Sequence, residues 1–389
     1  MGNILSVPVR AVKYLTGRYV LEGKLRGHTD AINCLALSKN GQVLASGGYD
    51  GLRLWDMTAL KEMAVPPQRT YNDAISAVSW IIPNDICLTF CYGTSLGMLV
   101  FIRETRPMVF EEVLAKRLGS GVAITCITSG RSDRVTTRIA TASRDGLVQC
   151  WIFASSGSLD NIFSLNFSGT IPIGLIFADS SVSDVHFFDL VTGNMYTVDG
   201  DKGKLARSKG LGGITGHVAV NMRQSIVAVD TIANEFALYN LKDGAPVRTY
   251  ATPARVRSLP RQLSFGEGGR ILVGGGDNGA VCVFEVKSGA RLETLKPAKG
   301  LLQTVHTHWH DGISTVLVGS TVLKADNNIW IWKRKGGRFR MRHWQNGMAL
   351  LLNYAIHLLV LVAALGFVVQ NMQVSRKAMK IYHRLLTSI

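Results

Sequence analysis

Residues 24–59 read KLRGHTDAINCLALSKNGQVLASGGYDGLRLWDMTA, and this stretch decides the fold. Apolar and polar residues alternate from residue 32 to residue 36, which is the period of a half-buried strand. Asn40-Gly41 and Asp50-Gly51 are turn dipeptides, and each of them separates two short apolar runs. The stretch therefore predicts three consecutive strands that are joined by tight turns.

Two further dipeptides mark the stretch, Gly27-His28 near its beginning and Trp55-Asp56 near its end. With the strands between them they resemble one unit of the WD-repeat family, in which each unit of about 40–45 residues forms a blade of a β-propeller. Weaker copies follow along the chain, and the aromatic residues that end the units are Trp55, Phe101, Trp151, Phe188, Tyr239, Phe284 and Trp332. Seven markers predict seven blades, which is the number usual in the resembled family.

The resemblance implies an all-β, seven-bladed β-propeller, which we expect over residues 18–334. A lone four-stranded sheet cannot bury both faces, whereas blades stacked around an axis cover each face with the next blade. In the resembled family an N-terminal strand completes the last blade and closes the ring. Residues 18–24 (RYVLEGK) are predicted as this strand, because residues 329–333 look like the third strand of blade seven.

The resemblance also implies a buried hydrogen-bond chain of His, Ser or Thr, Asp and Trp within a blade. The matching residues are His28, Ser46, Asp50 and Trp55 in blade one, Thr141, Asp145 and Trp151 in blade three, and Asp326 and Trp332 in blade seven. A buried polar chain is tolerated only when all its members are satisfied, so these residues are interpreted as structural. Their likeness to a catalytic triad is one of residue type and not of role. We expect no catalytic residue and no enzyme activity.

An apolar run near the end of the chain predicts a transmembrane helix. Residues 348–369 are 22 residues without a charge, and as a helix they span about 33 Å, enough for a hydrocarbon core of about 30 Å. A basic juxtamembrane linker (335–347) precedes the run, and a basic amphipathic tail (370–389) follows it. Asn353 and His357 share one face and predict a contact with a partner helix or an oligomer. The alternatives are hydration near the interface for these two side chains, and a helix buried against the propeller for the whole run.

The net charge of +16 comes from the ends of the chain. Thirteen cations lie within residues 1–19, 333–342 and 376–384, and they leave 30 basic against 27 acidic residues elsewhere. A nucleic-acid binder carries its basic charge on the folded domain, so nucleic acid is not an expected partner. The pattern favours anionic lipid head groups. The larger basic cluster precedes the apolar run and predicts a propeller facing the cytoplasm, on the endoplasmic reticulum or the outer mitochondrial membrane.

The N-terminal residues 1–17 are predicted as a second anchor. Gly2, followed by Ser6, matches the N-myristoylation pattern, although so short a motif also occurs by chance. One myristoyl chain binds a membrane weakly and needs a second signal. The apolar run of residues 348–369 would supply it.

Other reactive residues carry no recognisable site. His306, His308 and His310 alternate and would share one face of a strand, but no fourth ligand is evident. The six cysteines are scattered without paired zinc-like spacing and are interpreted as buried, reduced thiols. We therefore expect no metal and no cofactor.

The sequence thus favours an integral, single-pass membrane protein that presents protein-binding surfaces to the cytoplasm. Two alternatives stay open. One is a membrane-tethered guanine-nucleotide exchange factor for a small GTPase, which rests on similarity of layout to an endoplasmic-reticulum propeller. The other is a non-catalytic subunit of a membrane protein complex. Fold alone names no partner.

Overall fold

The computed structural model describes residues 17–66, 73–81, 87–132, 135–178, 183–212, 216–231, 233–257, 259–297 and 300–335, and the single residues 357, 376 and 383. The chain divides into two compact units, Met1–Arg334 and Lys335–Ile389. In the second unit the residues described beyond Lys335 are His357, Arg376 and His383, which are helical and exposed. The first unit contains the propeller.

The described residues form seven four-stranded antiparallel sheets, the blades. Strand β1 (Val20–His28) comes first along the chain and belongs to the last blade. Blade one is β2 (Ile32–Leu37), β3 (Val43–Gly48), β4 (Gly51–Asp56) and β5 (Lys61–Met63). Blade two is β6 (Ile75–Ile81), β7 (Thr89–Thr94), β8 (Met98–Arg106) and β9 (Val109–Arg117). Blade three is β10 (Ile124–Ser132), β11 (Thr136–Ser143), β12 (Leu147–Ala154) and β13 (Leu159–Asn166).

The remaining blades follow the same order. Blade four is β14 (Pro172–Phe177), β15 (Val185–Asp189), β16 (Asn194–Asp199) and β17 (Lys204–Gly210). Blade five is β18 (Val218–Asn221), β19 (Ile226–Asp230), β20 (Glu235–Asn240) and β21 (Pro246–Ala251). Blade six is β22 (Leu263–Gly266), β23 (Ile271–Gly274), β24 (Val281–Glu285) and β25 (Arg291–Leu295). Blade seven is β26 (Thr304–His310), β27 (Ile313–Gly319) and β28 (Asn327–Lys335), with β1 as its outer strand.

The predicted ring closure is confirmed, with a longer strand than expected. β1 pairs antiparallel with β28, and Val20 lies opposite Lys333. At the inner edge, Thr304 Oγ1 of blade seven donates to the Ile32 carbonyl of blade one at 2.7 Å. The first and last parts of the propeller are thus joined at both edges of blade seven, which removes a long exposed edge between them.

The hydrophobic core lies between the blades. Seven clusters of buried apolar residues occur within the described residues, and each cluster joins two neighbouring blades. In the cluster between blades seven and one, Trp55 packs with Leu317 and Ile329, all at most 1% exposed. Fully burying each large apolar side chain contributes about 1.5–3 kcal/mol, so the ring is stabilised at every blade-to-blade contact.

One of the predicted blade markers is wrong. Phe188 lies on β15, the second strand of blade four, where it pairs with Met195 of the third strand. The third strand carries Val198, which is fully buried, opposite Val185. The third strand also carries an aromatic residue, Tyr196, whose ring stacks on Phe187 of the second strand with the centroids 4.7 Å apart.

The loops define two faces of the propeller. The upper face is the face that carries the loops between the second and third strands of each blade and the loops between neighbouring blades. The lower face holds the loops between first and second strands and between third and fourth strands. Because the outer strand of blade seven begins at Val20 and its third strand ends at Lys335, the chain enters and leaves the propeller at the lower face.

Candidate interaction surfaces

The structure brings the four predicted residues of blade one into one buried chain on the upper side. Asp50 Oδ1 lies 2.7 Å from His28 Nδ1, and His28 Nε2 lies 2.7 Å from Ser46 Oγ. Trp55 Nε1 donates to the same Ser46 oxygen at 2.8 Å. Ser46 is fully buried and His28 and Trp55 are 1% exposed. The chain therefore ties the inter-blade loop at His28 to the turn at Asp50 and holds no group free to attack a substrate.

The carboxylate of Asp50 is held ionised by its neighbours. Its Oδ2 accepts hydrogen bonds from the Thr29 amide at 2.8 Å and from Arg53 Nε at 3.3 Å, and Arg53 also pairs with Glu62 at 2.6 Å. Burial alone raises the pKa of Asp50, but the hydrogen bonds from His28 and Thr29 and the charge of Arg53 outweigh it and hold this pKa at about 2. The turn is therefore fixed by charge at neutral pH.

Blade three keeps part of this arrangement. Trp151 Nε1 donates to Thr141 Oγ1 at 3.1 Å, as Trp55 does to Ser46 in blade one. Asp145 accepts a hydrogen bond from Ser120 Oγ at 2.8 Å. It is therefore not a third member of the Trp151–Thr141 chain. Gly146 follows in the turn with φ 84°, and a Cβ there would lie 2.2 Å from the Phe167 carbonyl oxygen. Ser120 and Gly146 thus keep the inter-blade loop close to the turn in blade three, where no histidine takes part.

Blade seven does not form the predicted pair. Asp326 is exposed, and its carboxylate forms no hydrogen bond within the described residues. Trp332 Nε1 is buried and has no hydrogen-bond partner among them. The turn is organised instead by Asn327, whose Nδ2 donates to the carbonyls of Val322 at 2.6 Å and Ala325 at 2.8 Å. The Asn327 amide, which bonds to the backbone, thus takes the place of the Asp326 carboxylate. The spacing of six residues between Asp326 and Trp332 could not indicate this.

The first strands of the blades line a central channel that holds a cavity of about 270 Å³. His306 faces this channel, while His308 bonds to the Lys39 carbonyl at 3.0 Å and His310 is exposed. Burial lowers the pKa of His306 to about 4 and that of His217, also in the channel wall, to about 4. No group of three or more His, Cys, Asp or Glu that could hold a metal occurs among the described residues.

The cysteines divide by position. Cys91, Cys126, Cys150 and Cys282 are buried free thiols, as predicted. Cys34 is half-buried and its thiol pKa is raised to about 12 by burial. Cys87 is exposed, which corrects the prediction that all six are buried. It lies just before β7, outside the strand pattern on which that prediction was based.

A cluster between blades five and six was missed by the sequence reasoning. Asp230 is fully buried at the end of β19, and its Oδ1 accepts from Arg255 at 2.6 Å and from Arg261 at 2.9 and 2.7 Å. Arg261 also stacks on the ring of Phe236, 4.5 Å from the centroid. Burial lowers the pKa of Arg261, and the charge of Asp230 opposes that shift. The signal was available, since three arginines, Arg255, Arg257 and Arg261, occur within residues 253–261.

The same loop, described over residues 252–257 and 259–262, is held on its other side by a second buried carboxylate. Asp277 Oδ2 accepts from the amides of Val256 at 2.8 Å and Arg257 at 2.6 Å. Arg255 NH1 donates to the Leu259 carbonyl at 3.0 Å, and Gln303 Nε2 donates to the Pro260 carbonyl at 3.0 Å. The backbone is thus fixed, while the side chain of Val256 stays 70% exposed.

Other upper-face turns also present apolar side chains to solvent. They are Tyr49 in blade one, Leu96 in blade two, Val191 in blade four and Leu323 in blade seven, each between 56% and 63% exposed. Isolated exposed apolar residues are normal on a soluble domain. Their repeated place at the tips of upper-face turns makes this face the better candidate for protein binding.

The lower face joins the two ends of the propeller through a buried ion pair. Arg334, at the end of β28, donates to Glu267 Oε1 at 2.6 Å and stacks on the ring of Tyr19. The Tyr19 hydroxyl lies 2.7 Å from Ser314 Oγ, and the Tyr19 backbone amide donates to Glu293 at 3.0 Å. Burial raises the pKa of Tyr19 to about 12. The first and last residues of the propeller are therefore fixed to blade six.

Several predicted sites fall on other parts of the chain. Gly2 and Asn353 lie outside the described residues, as do residues 348–369 apart from His357, which is helical and exposed. Among the residues that are described, no helix is long and apolar enough to cross a bilayer. The transmembrane helix, the lipid anchor and the helix contact stay predictions.

Comparison with known proteins agrees with the fold. Residues 19–56 match the family model described as WD domain, G-beta repeat. The chain is thus a seven-bladed β-propeller that carries a WD repeat over residues 19–56.

The curated relatives match short parts of the chain. It is 55% identical to THO complex subunit 6 of Homo sapiens over 40 residues, which cover 10% of this chain and 12% of that protein. It is 39% identical over 64 residues to ribosome biogenesis protein BOP1 of Rattus norvegicus, covering 16% and 8%. Small ribosomal subunit protein RACK1 of Neurospora crassa is 36% identical over 86 residues, covering 22% and 25%. The matched part spans a quarter or less of each relative.

Proposed function

We propose that this protein is a membrane-anchored WD-repeat scaffold that presents its upper face to protein partners in the cytoplasm. The observation that carries the proposal is the pairing of Val20 with Lys333. It brings the chain into and out of the propeller at the lower face, which is opposite the upper-face loops that would bind partners. A propeller without a reactive group in its polar chains supports binding rather than catalysis.

The membrane part of the proposal rests on the sequence of the chain ends. Residues 348–369 carry no charge over 22 positions, and basic residues flank them on both sides. Gly2 would add a myristoyl chain as the second signal. Exposed cations on the lower face, among them Arg18, Lys39 and Arg270, suit an anionic leaflet. The organelle is proposed as the endoplasmic reticulum or the outer mitochondrial membrane.

A non-catalytic subunit of a membrane complex is the second candidate. Two of the relatives carry subunit names, THO complex subunit 6 and small ribosomal subunit protein RACK1. In this chain Asn353 and His357 would form the contact with a partner helix or a second copy. A stable partner that co-purifies in detergent and is lost in Asn353→Leu would support this candidate. Exchange activity on a small GTPase is the remaining alternative, and nucleotide-release assays with coat GTPases would test it.

Membrane attachment is tested by extraction of the full-length protein with alkaline carbonate. We expect it to stay in the membrane pellet, and Leu358→Arg combined with Leu361→Arg to release it, because two charges at mid-span oppose insertion. Protease added to intact organelles should digest the propeller if it faces the cytoplasm. Release of the unaltered protein by carbonate would refute the anchored scaffold.

Lipidation is tested separately with a myristate analogue. We expect labelling of the full-length protein and none of Gly2→Ala. Absence of labelling in the unaltered chain would remove the second anchor and leave the transmembrane prediction in place.

A further inference from the structure

We propose that residues 252–257 and 259–262, which we call the arginine loop, form a binding site for an acidic segment of a partner protein that also carries apolar side chains. The inference rests on the scaffold function proposed above and names the place and the chemistry of one of its contacts. It is carried by the geometry of the loop between blades five and six.

The first argument is that the loop is built as a rigid support. Two buried carboxylates hold it from below, Asp230 through the side chains of Arg255 and Arg261, and Asp277 through two backbone amides. The backbone carbonyls of residues 259 and 260 are bound as well. A loop fixed before binding loses little conformational entropy when a partner docks, so it favours affinity.

The second argument is what this support presents. Val256 is 70% exposed and Leu259 is 37% exposed, with the exposed side chain of Arg257 between them. A flexible loop could turn such apolar side chains inward, whereas this backbone is held in place on both sides. The arrangement of two apolar side chains around one cation fits a segment with apolar residues around a carboxylate.

The third argument is charge. In the described upper-face loops of blades five and six, Arg257 and Lys296 are exposed cations. The carboxylates there, Asp230 and Asp277, are buried and already accept hydrogen bonds from the loop. Solvent therefore faces positive charge, and an arginine guanidinium recognises a carboxylate through two parallel hydrogen bonds. A basic or neutral segment would lack this match.

The test measures binding of two peptide pools to the purified full-length protein in detergent. Both pools are random 12-residue peptides of Leu, Val, Gly and one charged residue, which is Glu in one pool and Lys in the other. We expect the Glu pool to be retained at least tenfold more than the Lys pool. Arg257→Glu should abolish this preference or reverse it, while the fold stays intact because the side chain is exposed.

Two further measurements locate the site. Val256→Asp with Leu259→Asp should reduce retention of the Glu pool at least tenfold, whereas Lys242→Glu, an exposed lower-face residue of the same blade, should leave it unchanged. Equal retention of the two pools, or unchanged retention in the Arg257→Glu protein, would overturn the proposal. Displacement of bound peptide by a soluble short-chain phosphatidylserine at equal concentration would assign the loop to lipid and would also overturn it.

The outcome is separable from the scaffold proposal. If the protein resists carbonate and faces the cytoplasm but the pools bind equally, the arginine loop loses its assignment and the anchored scaffold stands. If carbonate releases the protein but the Glu pool binds as expected, the membrane part fails and the loop site stands.

Discussion

Blade one and the junction of blades five and six solve the same mechanical problem with different residues. Each must hold an upper-face turn against the neighbouring inter-blade loop. Blade one does so with Asp50, His28, Ser46 and Trp55, in a chain that ends on a tryptophan in the core. The junction uses Asp230 with two arginines. The comparison teaches that a carboxylate bound across the loops can hold them together, and that its partner can be a histidine or a guanidinium.

The difference has an energetic consequence. In blade one the Asp50 carboxylate is only half-buried, and its charged partner Arg53 is partly exposed and also pairs with Glu62. At the junction the carboxylate is fully buried between two guanidinium groups, and these have lost much of their own hydration. Removing one charged side chain should therefore lower the free energy of unfolding more at the junction than in blade one, because an unpaired buried charge is left behind.

The largest expected effect is that of Asp230→Asn. The substitution keeps the shape of the side chain but leaves Arg255 and Arg261 without a buried counter-charge, and we expect the free energy of unfolding to fall by about 3–5 kcal/mol. Urea unfolding of the full chain in detergent, followed by tryptophan fluorescence, measures this. Asp243→Asn, at an exposed lower-face loop of the same blade, is the control and should change stability by about 0.5 kcal/mol or less. Equal effects of the two substitutions would contradict the buried-charge account.

The next effect is expected in blade one. Ser46→Ala removes the oxygen that Trp55 and His28 both bind, and it leaves two buried ring nitrogens without a partner. We expect a loss of about 2–3 kcal/mol, measured by the same unfolding experiment. Ser46→Thr retains the hydroxyl, as blade three does with Thr141, and should recover most of that loss. A threonine variant as unstable as the alanine variant would show that packing, not the hydrogen bond, fixes the site.

A third comparison sets two tryptophans against each other. Trp55→Phe removes an indole N–H that donates to Ser46, whereas Trp332→Phe removes one with no partner among the described residues. Both replacements also remove apolar area, so the difference between the two losses is the informative quantity. We expect Trp55→Phe to cost about 1 kcal/mol more, since a made hydrogen bond is lost in one case only. A larger loss for Trp332→Phe would mean that blade seven has a bond to its indole in solution.

A last effect, of similar size, is the pH dependence of blade one. The pKa of Asp50 is held at about 2 in the folded protein, below the value near 3.9 of an unfolded aspartate. The contribution of the Asp50 carboxylate to the free energy of unfolding is therefore complete above about pH 4 and is lost as the pH falls towards 2. The stability difference between the unaltered protein and Asp50→Asn should shrink by about 1–2 kcal/mol across that interval, allowing for partial solvent screening. A difference that stays constant from pH 5 to pH 2.5 would show that Asp50 is not stabilised as an anion.

Much of the propeller could be predicted from the sequence because its signals are local. The turn at Asp50-Gly51 needs a residue that accepts a positive φ, and Gly51 has φ 98°. The tryptophan at the end of β4 and the apolar runs before it likewise follow from neighbours within one blade. The ring closure was predicted from the resemblance to the WD-repeat family, and the strand pattern of residues 18–24 located the closing strand.

Two predictions failed within single blades. Phe188 was mistaken for a third-strand residue, because the second strand carries Phe187 and Phe188 while the third strand carries Tyr196. The pairing of Asp326 with Trp332 was predicted by spacing, yet Asn327 bonds to the backbone and leaves the aspartate in solvent. A turn can be satisfied by an amide or a carboxylate, and the choice depends on geometry within a few ångströms.

The sequence by itself determined short strands joined by tight turns, because strand period and turn residues act over short distances, and the resemblance of residues 24–59 to a WD repeat implied the seven-bladed propeller and the polar chain of blade one. Only the tertiary structure decided that Asp230 is buried between Arg255 and Arg261, with a rigid apolar and basic loop above it. These residues are up to 31 positions apart, and the burial that makes their pairing strong exists only after two blades have packed together.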